Sequence, residues 1–209
     1  MTERSLVVVA AGLSQPSATR LLADRLASRT AQRLQDAGET VRTEVIELRT
    51  HAQDLTNNLL TGFPSPALRA AIDVVVGADG LIAVTPIFNA SFSGLFKTFF
   101  DVLERDSLAR LPVLIAATAG TARHSLALEH ALRPLFAYMG AATVPTAVFA
   151  AAEDWGEGGV SGERDLSDRI ERAATELATA MATRSRKAPT DAFADPTPFE
   201  QLLADPPRG

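Results

Sequence analysis

Short apolar runs rich in β-branched residues alternate with longer amphipathic segments along most of this 209-residue chain. Residues 5–11, "SLVVVAA", form a continuous apolar run, which is typical of a strand covered on both faces. Residues 17–37 instead place apolar side chains at helical spacing and stop at Gly38, which indicates an amphipathic helix. Because parallel strands need long crossover connections, this alternation favours βαβ units and a parallel sheet.

The same alternation predicts further strands and the helices between them. Residues 40–48 alternate apolar and polar side chains, so we expect an edge strand with one wet face. The unbroken run at 80–84 predicts a central strand, and 111–118 and 143–150 predict the fourth and fifth strands. Further helices are predicted at residues 66–76, 92–103, 122–139 and 166–182. The predicted fold is α/β, a flavodoxin-like three-layer sandwich with a five-stranded parallel sheet in the order 2-1-3-4-5.

Prolines indicate a helix irregularity and a domain boundary. Pro134 lies inside the fourth predicted helix and is expected to kink it near residue 130, because proline lacks the amide donor. Residues 183–209 contain five of the twelve prolines and show no sustained periodicity. We therefore expect one flavodoxin-like domain over residues 1–182 and a Pro-rich tail over 183–209, flexible or packed on a partner subunit.

Composition excludes several classes of protein. A hydrophobic content of 46% and a charged content of 22% predict a packed core. The net charge of −5 argues against the basic face that nucleic-acid binding requires. The chain has no cysteine, which excludes disulfides, thiol catalysis and thiolate metal sites. No segment approaches about 18 apolar residues and the N-terminus lacks signal-peptide flanks, so we expect a cytoplasmic protein with no membrane partner.

The loops after strands one, three and four are the places to look for a ligand, because ligands bind beyond the carboxyl ends of open parallel sheets. The first loop, residues 11–20, contains Gly12, which permits a tight turn, and the hydroxyls of Ser14, Ser17 and Thr19. Free amides and the positive end of the helix dipole suit this position to a phosphate. Ser17 could equally serve only as the helix N-cap. The loop fits neither GxGxxG nor GxxxxGK[ST], which disfavours dinucleotide folds and nucleotide triphosphatases.

The second loop begins the stretch "TPIFNASFSGLFKTFFD", residues 85–101. Pro86 fixes the backbone at the point where the third strand is predicted to break. Ile87 and Phe88 then present apolar surface, with Asn89 as a polar anchor. That combination suits a flat ring with polar edges. Phe88 lies outside the helical stripe that follows, so we do not assign it to the core.

The third loop, residues 118–126, has small residues around Gly120 at another predicted helix start. Its main-chain amides can approach an electron-rich ring edge closely. His124 and His130 lack the spacing and the neighbouring carboxylates of a metal site. No acid–base dyad, GxSxG or HExxH motif is present, so neither a catalytic side chain nor a metal is expected.

Residues 85–101 resemble the T-P-x-Y-N-x-S-x-x-G-x-x-K-x-x-x-D signature of NAD(P)H-dependent FMN reductases, with Phe88 in place of the usual tyrosine. The positions in register are Thr85, Pro86, Asn89, Ser91, Gly94, Lys97 and Asp101. Lys97 and Asp101 are expected to be structural, on a helix that packs in the subunit contact of such proteins. The resemblance extends over residues 5–182.

The first loop is similar to that family's G-S-x-R-x-x-S-x-N phosphate loop, in a shortened and altered form. Gly12 and Ser17 match, Thr19 stands for the asparagine, and Gln15 stands where an arginine is usual. Residues 118–141 resemble the third family segment, in the branch of flavin reductases that accompany luciferase-like monooxygenases.

The resemblance implies FMN as the bound flavin and NADPH or NADH as the hydride donor. The FMN-binding residues that it implies are Ser14, Ser17 and Thr19 for the phosphate, Pro86, Ile87, Phe88 and Asn89 for the ribityl chain and ring, and the main chain of Thr118, Ala119, Gly120 and Thr121 for the pyrimidine edge. The helix-rich faces and the apolar third helix predict a homodimer or homotetramer.

The resemblance also implies an NAD(P)H:FMN oxidoreductase that supplies reduced flavin to a partner monooxygenase. In such chemistry the cofactor reacts and the protein orients two rings. The missing arginine at Gln15 predicts FMN binding weaker by about one to two orders of magnitude, which favours FMN as a diffusible substrate. Two alternatives remain open: a quinone, azo-dye or metal-ion reductase with tightly bound FMN, and a flavodoxin-type electron carrier.

Overall fold

The computed structural model describes residues 3–155 and 166–184. The strands are β1 (Glu3–Ala10), β2 (Thr40–Glu47), β3 (Gly80–Phe88), β4 (Ser91–Phe92), β5 (Pro112–Ala119), β6 (Ala142–Thr143) and β7 (Val148–Ala151). The α-helices are α1 (Ala18–Asp36), α2 (Ala52–Thr61), α3 (Pro66–Val76), α4 (Gly94–Asp101), α5 (Arg133–Tyr138) and α6 (Leu166–Thr183). The predicted tail lies outside the described residues from residue 185 onward.

The parallel sheet has the order β2-β1-β3-β5-β6, with β7 also paired to β5 and β4 paired antiparallel to β3. This confirms the predicted order 2-1-3-4-5, with the fifth position shared by two short strands. Between these two strands, the carbonyls of Val144 and Pro145 accept hydrogen bonds from the Arg133 guanidinium, each at 3.1 Å. The Thr146 amide nitrogen donates to Glu176 of α6 at 2.7 Å. The fifth strand is therefore interrupted at residues 144–146, where the Arg133 and Glu176 side chains bind these backbone groups in place of a neighbouring strand.

Alternate residues of the central strands build two apolar layers, one on each face of the sheet. Val7 and Val9 of β1 pack into a cluster with α3, α4 and α5, and Leu6 and Val8 pack with α1 and α6. All four side chains are fully buried, and each such burial contributes about 1.5–3 kcal/mol. The result is the expected three-layer sandwich, with the sheet as the middle layer.

Strand β3 runs farther than the sequence predicts, so the predicted break at residue 85 is wrong. Thr85 and Pro86 continue to pair with β5. On the other side, β1 pairs with β3 only as far as Val84. At Thr85 and Pro86, β5 is therefore the one neighbour of β3, and a strand with an open side tolerates a proline that lacks its amide.

Two helical regions also differ from the prediction. Helix α2 lies between β2 and α3, where no helix is predicted, and Gly62 ends it at a φ of 77°. The predicted helix at 122–139 consists of a 3₁₀ turn, a π-helical turn over Leu128–Leu132, and α5, which contains Pro134 in its first turn. The π-helical turn runs directly into α5, because the Arg133 amide nitrogen donates to the Leu128 carbonyl, and this irregularity lies beside Pro134, which has no amide donor.

Within the described residues, no single helix is long and apolar enough to cross a membrane. One pair of helical segments, Leu48–Thr61 and Pro66–Val76, reaches that length and composition only together, with a bend of 92° between them.

Candidate functional site

The loops that follow β1, β3 and β5 meet at the carboxyl edge of the sheet. Their strands are neighbours, with Ala10 opposite Val84 in one pair and Pro86 opposite Thr118 in the other. A hydroxyl–hydroxyl hydrogen bond of 2.8 Å between Thr19 and Thr118 joins the first loop to the start of the third loop. The structure therefore brings together the three loops in which the sequence places the candidate site.

The first loop closes tightly over the N-terminus of α1, and a glycine makes this closure possible. Gly12 is buried, and an added Cβ would lie 2.1 Å from Ser17 Oγ and 3.1 Å from Thr19 Cβ. Ser17 is the N-cap of α1, and its Oγ accepts from the Arg20 amide nitrogen at 3.2 Å. Since the hydroxyl acts there as an acceptor, its hydrogen remains available to donate to an anion. Ser14 lies in the exposed part of the loop.

Thr19 has a different environment from the other two hydroxyl residues of the first loop. Its side chain is only 3% exposed, and its hydroxyl is engaged with that of Thr118, which is 5% exposed. The pair fixes the first turn of α1 against the end of β5. The prediction that Thr19 contacts a phosphate directly stays a prediction.

Replacing Thr118 with valine is expected to lower the free energy of unfolding by about 1–3 kcal/mol, because the buried Thr19 hydroxyl then loses its partner. The double variant Thr19→Val/Thr118→Val should be more stable than the sum of the single losses predicts, since it leaves no unpaired hydroxyl. Urea denaturation of the four proteins measures this coupling. Thr98→Val, at a more exposed hydroxyl that bonds its own helix, is the control. Strictly additive losses would contradict the pairing.

The second loop is a hairpin turn that connects β3 to β4. Phe88 pairs with Ser91, so Asn89 and Ala90 form a two-residue turn with φ values of 47° and 70°. Positive φ at both positions is characteristic of the type I′ turn, which matches the twist of a hairpin. Asparagine tolerates this conformation well, whereas alanine pays about 1–2 kcal/mol for it. The tip of the hairpin is therefore held in a strained, defined shape.

The side chains before the turn alternate between the core and the surface. Ile87 is 8% exposed, whereas Phe88 is 49% exposed at the sheet edge, so Phe88 lies outside the core as expected. At the base of the hairpin, the buried Thr85 hydroxyl accepts from the Ser93 amide nitrogen at 3.0 Å. Ser93 in turn caps α4 through the Phe96 amide nitrogen at 3.2 Å. This chain of contacts fixes the base of the hairpin that carries Phe88.

The third loop leaves the sheet at Ala119, which is half-buried, and becomes exposed at Gly120. An added Cβ at Gly120 would meet no described heavy atom within 4 Å. The Thr121 hydroxyl accepts from the Arg123 amide nitrogen at 3.4 Å. The backbone of this loop is thus accessible from solvent at the edge beside β3. Across residues 3–155 and 166–184, no group of three or more His, Asp or Glu side chains is arranged to hold a metal ion.

A charged cluster borders the first loop, and the sequence reasoning missed it. Glu47, the last residue of β2, accepts from Arg20 Nη1 at 2.6 Å and from Arg49 Nε at 3.1 Å. Arg20 also donates to Asp24 at 2.8 Å, and this hydrogen bond raises the pKa of the Arg20 guanidinium. With the Gln15 amide oriented so that its oxygen faces Arg49, both terminal nitrogens of Arg49 donate to it. The available signal was the strand order, because β2 lies beside β1 and ends at the same edge.

The sheet order and the convergence of these loops define a protein of the flavodoxin-like α/β class. The sequence profile of one family within this class, NADPH-dependent FMN reductase, matches residues 5–156. The chain belongs to this family.

Individual relatives agree with this assignment. The FMN reductase (NADPH) of Pseudomonas aeruginosa is 36% identical over 180 residues, which cover 86% of this chain and 94% of the relative. The NADH-dependent FMN reductase SfnE of Pseudomonas putida is 36% identical over 173 residues, which cover 83% and 90%. The X-ray structure of an oxidoreductase from Corynebacterium diphtheriae superposes with a TM-score of 0.84 at 44% identity, covering 88% of this chain and 100% of that one.

Proposed function

We propose that this protein is an NAD(P)H:FMN oxidoreductase, which transfers a hydride from a nicotinamide nucleotide to FMN. The observation that supports it most directly is the glycine-dependent closure of the first loop over the N-terminus of α1. An added Cβ at Gly12 would lie 2.1 Å from Ser17 Oγ, so a glycine lets the backbone lie close to the helix N-terminus, where an oxyanion can bind. Family membership supplies the second support.

The residues present suit the two ends of FMN. A phosphate fits the start of α1, where free amides and the Ser17 hydroxyl hydrogen provide donors. A ring fits beside the exposed face of Phe88. The residues proposed to hold FMN are Ser14, Ser17 and Thr19 at the phosphate, Pro86, Ile87, Phe88 and Asn89 at the ribityl chain and ring, and the main chain of Thr118, Ala119, Gly120 and Thr121 at the pyrimidine edge.

The chain's own residues bind and orient in this mechanism, and no side chain is assigned a catalytic role. FMN, when bound, supplies the ring system that accepts the hydride. The N-terminus of α1 and the Ser17 hydroxyl hold the phosphate end in place. Phe88 covers part of one side of the ring site and excludes water from it, and the hairpin turn fixes the angle at which Phe88 is presented. Positioning of this kind supplies much of the rate enhancement when two bound rings must meet face to face.

Anaerobic mixing of the protein with FMN and either NADH or NADPH tests the proposal. We expect the visible absorbance of oxidised flavin to bleach with at least one nucleotide, at a rate that depends on protein concentration. No bleaching with either nucleotide would contradict the reductase and leave the electron carrier. Ping-pong kinetics with a quinone, without added FMN, would instead favour the tightly bound alternative.

We further propose that the reduced flavin passes to a flavin-dependent monooxygenase and that the protein works in the cytoplasm as a homodimer or homotetramer. Two large apolar side chains at the end of α2, Leu60 and Phe63, are 82% and 80% exposed, and such side chains often mark association surfaces. The proposed domain covers residues 1–182, and residues 183–209 form the proposed tail. Light scattering coupled to gel filtration measures the oligomeric state of the full chain and of a chain truncated after residue 184.

A further inference from the structure

We infer that Arg49 supplies the phosphate-binding guanidinium that the first loop lacks at Gln15. The inference rests on the proposed function, because the phosphate in question is that of FMN. It assigns a binding residue from a different element, the 3₁₀ turn Leu48–His51 that follows β2.

The contacts of Arg49 place its terminal nitrogens at the first loop. Its Nε donates to Glu47 Oε2 at 3.1 Å. With the Gln15 amide oriented so that its oxygen faces Arg49, its Nη1 lies 3.0 Å from that oxygen, and its Nη2 contacts the same oxygen. Gln15 is exposed and belongs to the same loop that closes over the N-terminus of α1. The Glu47 carboxylate therefore fixes the Nε side of the guanidinium, and the terminal nitrogens face the first loop.

At the first loop, the terminal nitrogens of Arg49 donate to a neutral acceptor, the Gln15 amide oxygen. A neutral amide oxygen accepts less strongly than a phosphate oxygen, and a guanidinium can bind two phosphate oxygens in parallel. An incoming phosphomonoester can therefore displace Gln15, while the ion pair with Glu47 keeps the Arg49 side chain in place. The Arg49 side chain is 24% exposed, so its charge is less screened than that of an extended surface arginine.

Arg20, the other guanidinium of this cluster, is less available to a ligand. Its Nε donates to Asp24 and its Nη1 donates to Glu47, so carboxylates already occupy two of its donor groups. The single negative charge of Glu47 is shared between Arg20 and Arg49, so it neutralises neither positive charge completely. Arg49 is the member of the pair whose terminal nitrogens have only a neutral partner among the contacts of this cluster.

The test compares flavins with and without a phosphate. Dissociation constants of FMN and riboflavin are measured by quenching of flavin fluorescence for the wild type, Arg49→Gln and Arg49→Lys. We expect Arg49→Gln to weaken FMN binding about 10- to 100-fold and to change riboflavin binding by less than about twofold. Arg49→Lys should restore part of the loss, because lysine keeps the charge without the planar fork.

Relocating the charge provides a stricter test. In the Arg49→Gln background, Gln15→Arg should restore FMN affinity to within about threefold of the wild type, because either position then presents one guanidinium to the same loop. Arg42→Gln, at an exposed arginine that pairs with Glu44 on the outer strand β2, is the matched control and should leave FMN affinity unchanged. Circular dichroism and thermal unfolding check that each variant is folded.

Each outcome separates this inference from the proposed function. Wild-type protein that neither binds nor reduces FMN overturns the proposed function and the assignment of Arg49 with it. Wild-type protein that reduces FMN while Arg49→Gln binds it normally overturns the assignment of Arg49 alone. Equal losses for FMN and riboflavin indicate a merely structural role and also overturn it. Unchanged FMN affinity with a raised KM for NADPH but not for NADH assigns Arg49 to the nucleotide phosphate instead, and contradicts the inference.

Discussion

Replacing Gly12 with alanine is expected to weaken FMN binding by at least about 100-fold. The added Cβ would lie 2.1 Å from Ser17 Oγ, so the hydroxyl must leave its position, and the Cβ atoms of Thr19 and Ser17, at 3.1 and 3.2 Å, must also move away from the first loop. Loss of two charge-assisted hydrogen bonds of about 1.5 kcal/mol or more each accounts for a factor of this size. Isothermal titration calorimetry with FMN, alongside riboflavin, measures the effect and locates it at the phosphate.

Two other variants make the Gly12 result interpretable. Gly94→Ala is the matched control, because a Cβ at Gly94 meets no described heavy atom within 4 Å. Ser17→Ala removes the cap without a collision, and it should lower the stability by about 1 kcal/mol while weakening FMN binding less than Gly12→Ala does. If Gly12→Ala retained FMN affinity within threefold of the wild type, the first loop would not be the phosphate site.

Replacing Phe96 with alanine is expected to lower the free energy of unfolding by about 3–5 kcal/mol, a large part of the stability of a typical domain. Phe96 is fully buried on α4 and lies at the centre of an aromatic cluster. Its ring centroid is 4.7 Å from that of Phe100, 5.9 Å from that of Phe92 and 6.3 Å from that of Phe136. The truncation leaves a cavity that these rings cannot fill without leaving their own contacts.

Urea denaturation followed by circular dichroism measures the Phe96 effect. Leu126→Ala truncates an apolar side chain that is 64% exposed, so this control should change the stability by less than about 0.5 kcal/mol. If Phe96→Ala lowered the free energy of unfolding by less than about 1 kcal/mol, the aromatic cluster would repack freely. That result would contradict close packing of α4 on the sheet.

The sequence was sufficient for the order of the main parallel strands, although not for β4, the end of β3 or the interruption of the fifth strand, because burial on both faces leaves a recognisable apolar run. Apolar runs such as 5–11 and 111–118 fit only strands in the middle of a covered sheet, and the helices between them require parallel pairing. The three loops of the candidate site follow from that order alone. The family resemblance at residues 85–101 then identifies the ligand class, and the family profile confirms it.

Features that depend on tertiary contacts could not be predicted from the apolar pattern of the sequence. Helix α2 buries only Leu55 and Asn58, so its apolar stripe is too weak to detect. The continuation of β3 through Pro86 depends on where β1 ends, which is a matter of tertiary register. The engagement of Thr19 with Thr118 joins residues far apart in the chain. For the same reason, the residues of the first loop alone do not reveal that Arg49, from the turn after β2, lies beside that loop.

The alanine in the hairpin turn limits how the ring site can adapt to different flavins. Glycine at position 90 would adopt a φ of 70° without steric conflict, but it would also allow the tip many other shapes. Ala90 has few alternatives once the hairpin has formed, so the shape of the proposed ring site at this edge is set before any ligand arrives. The protein should therefore discriminate among isoalloxazine analogues by how well each fits a rigid surface. It should not adjust its own conformation to each ligand.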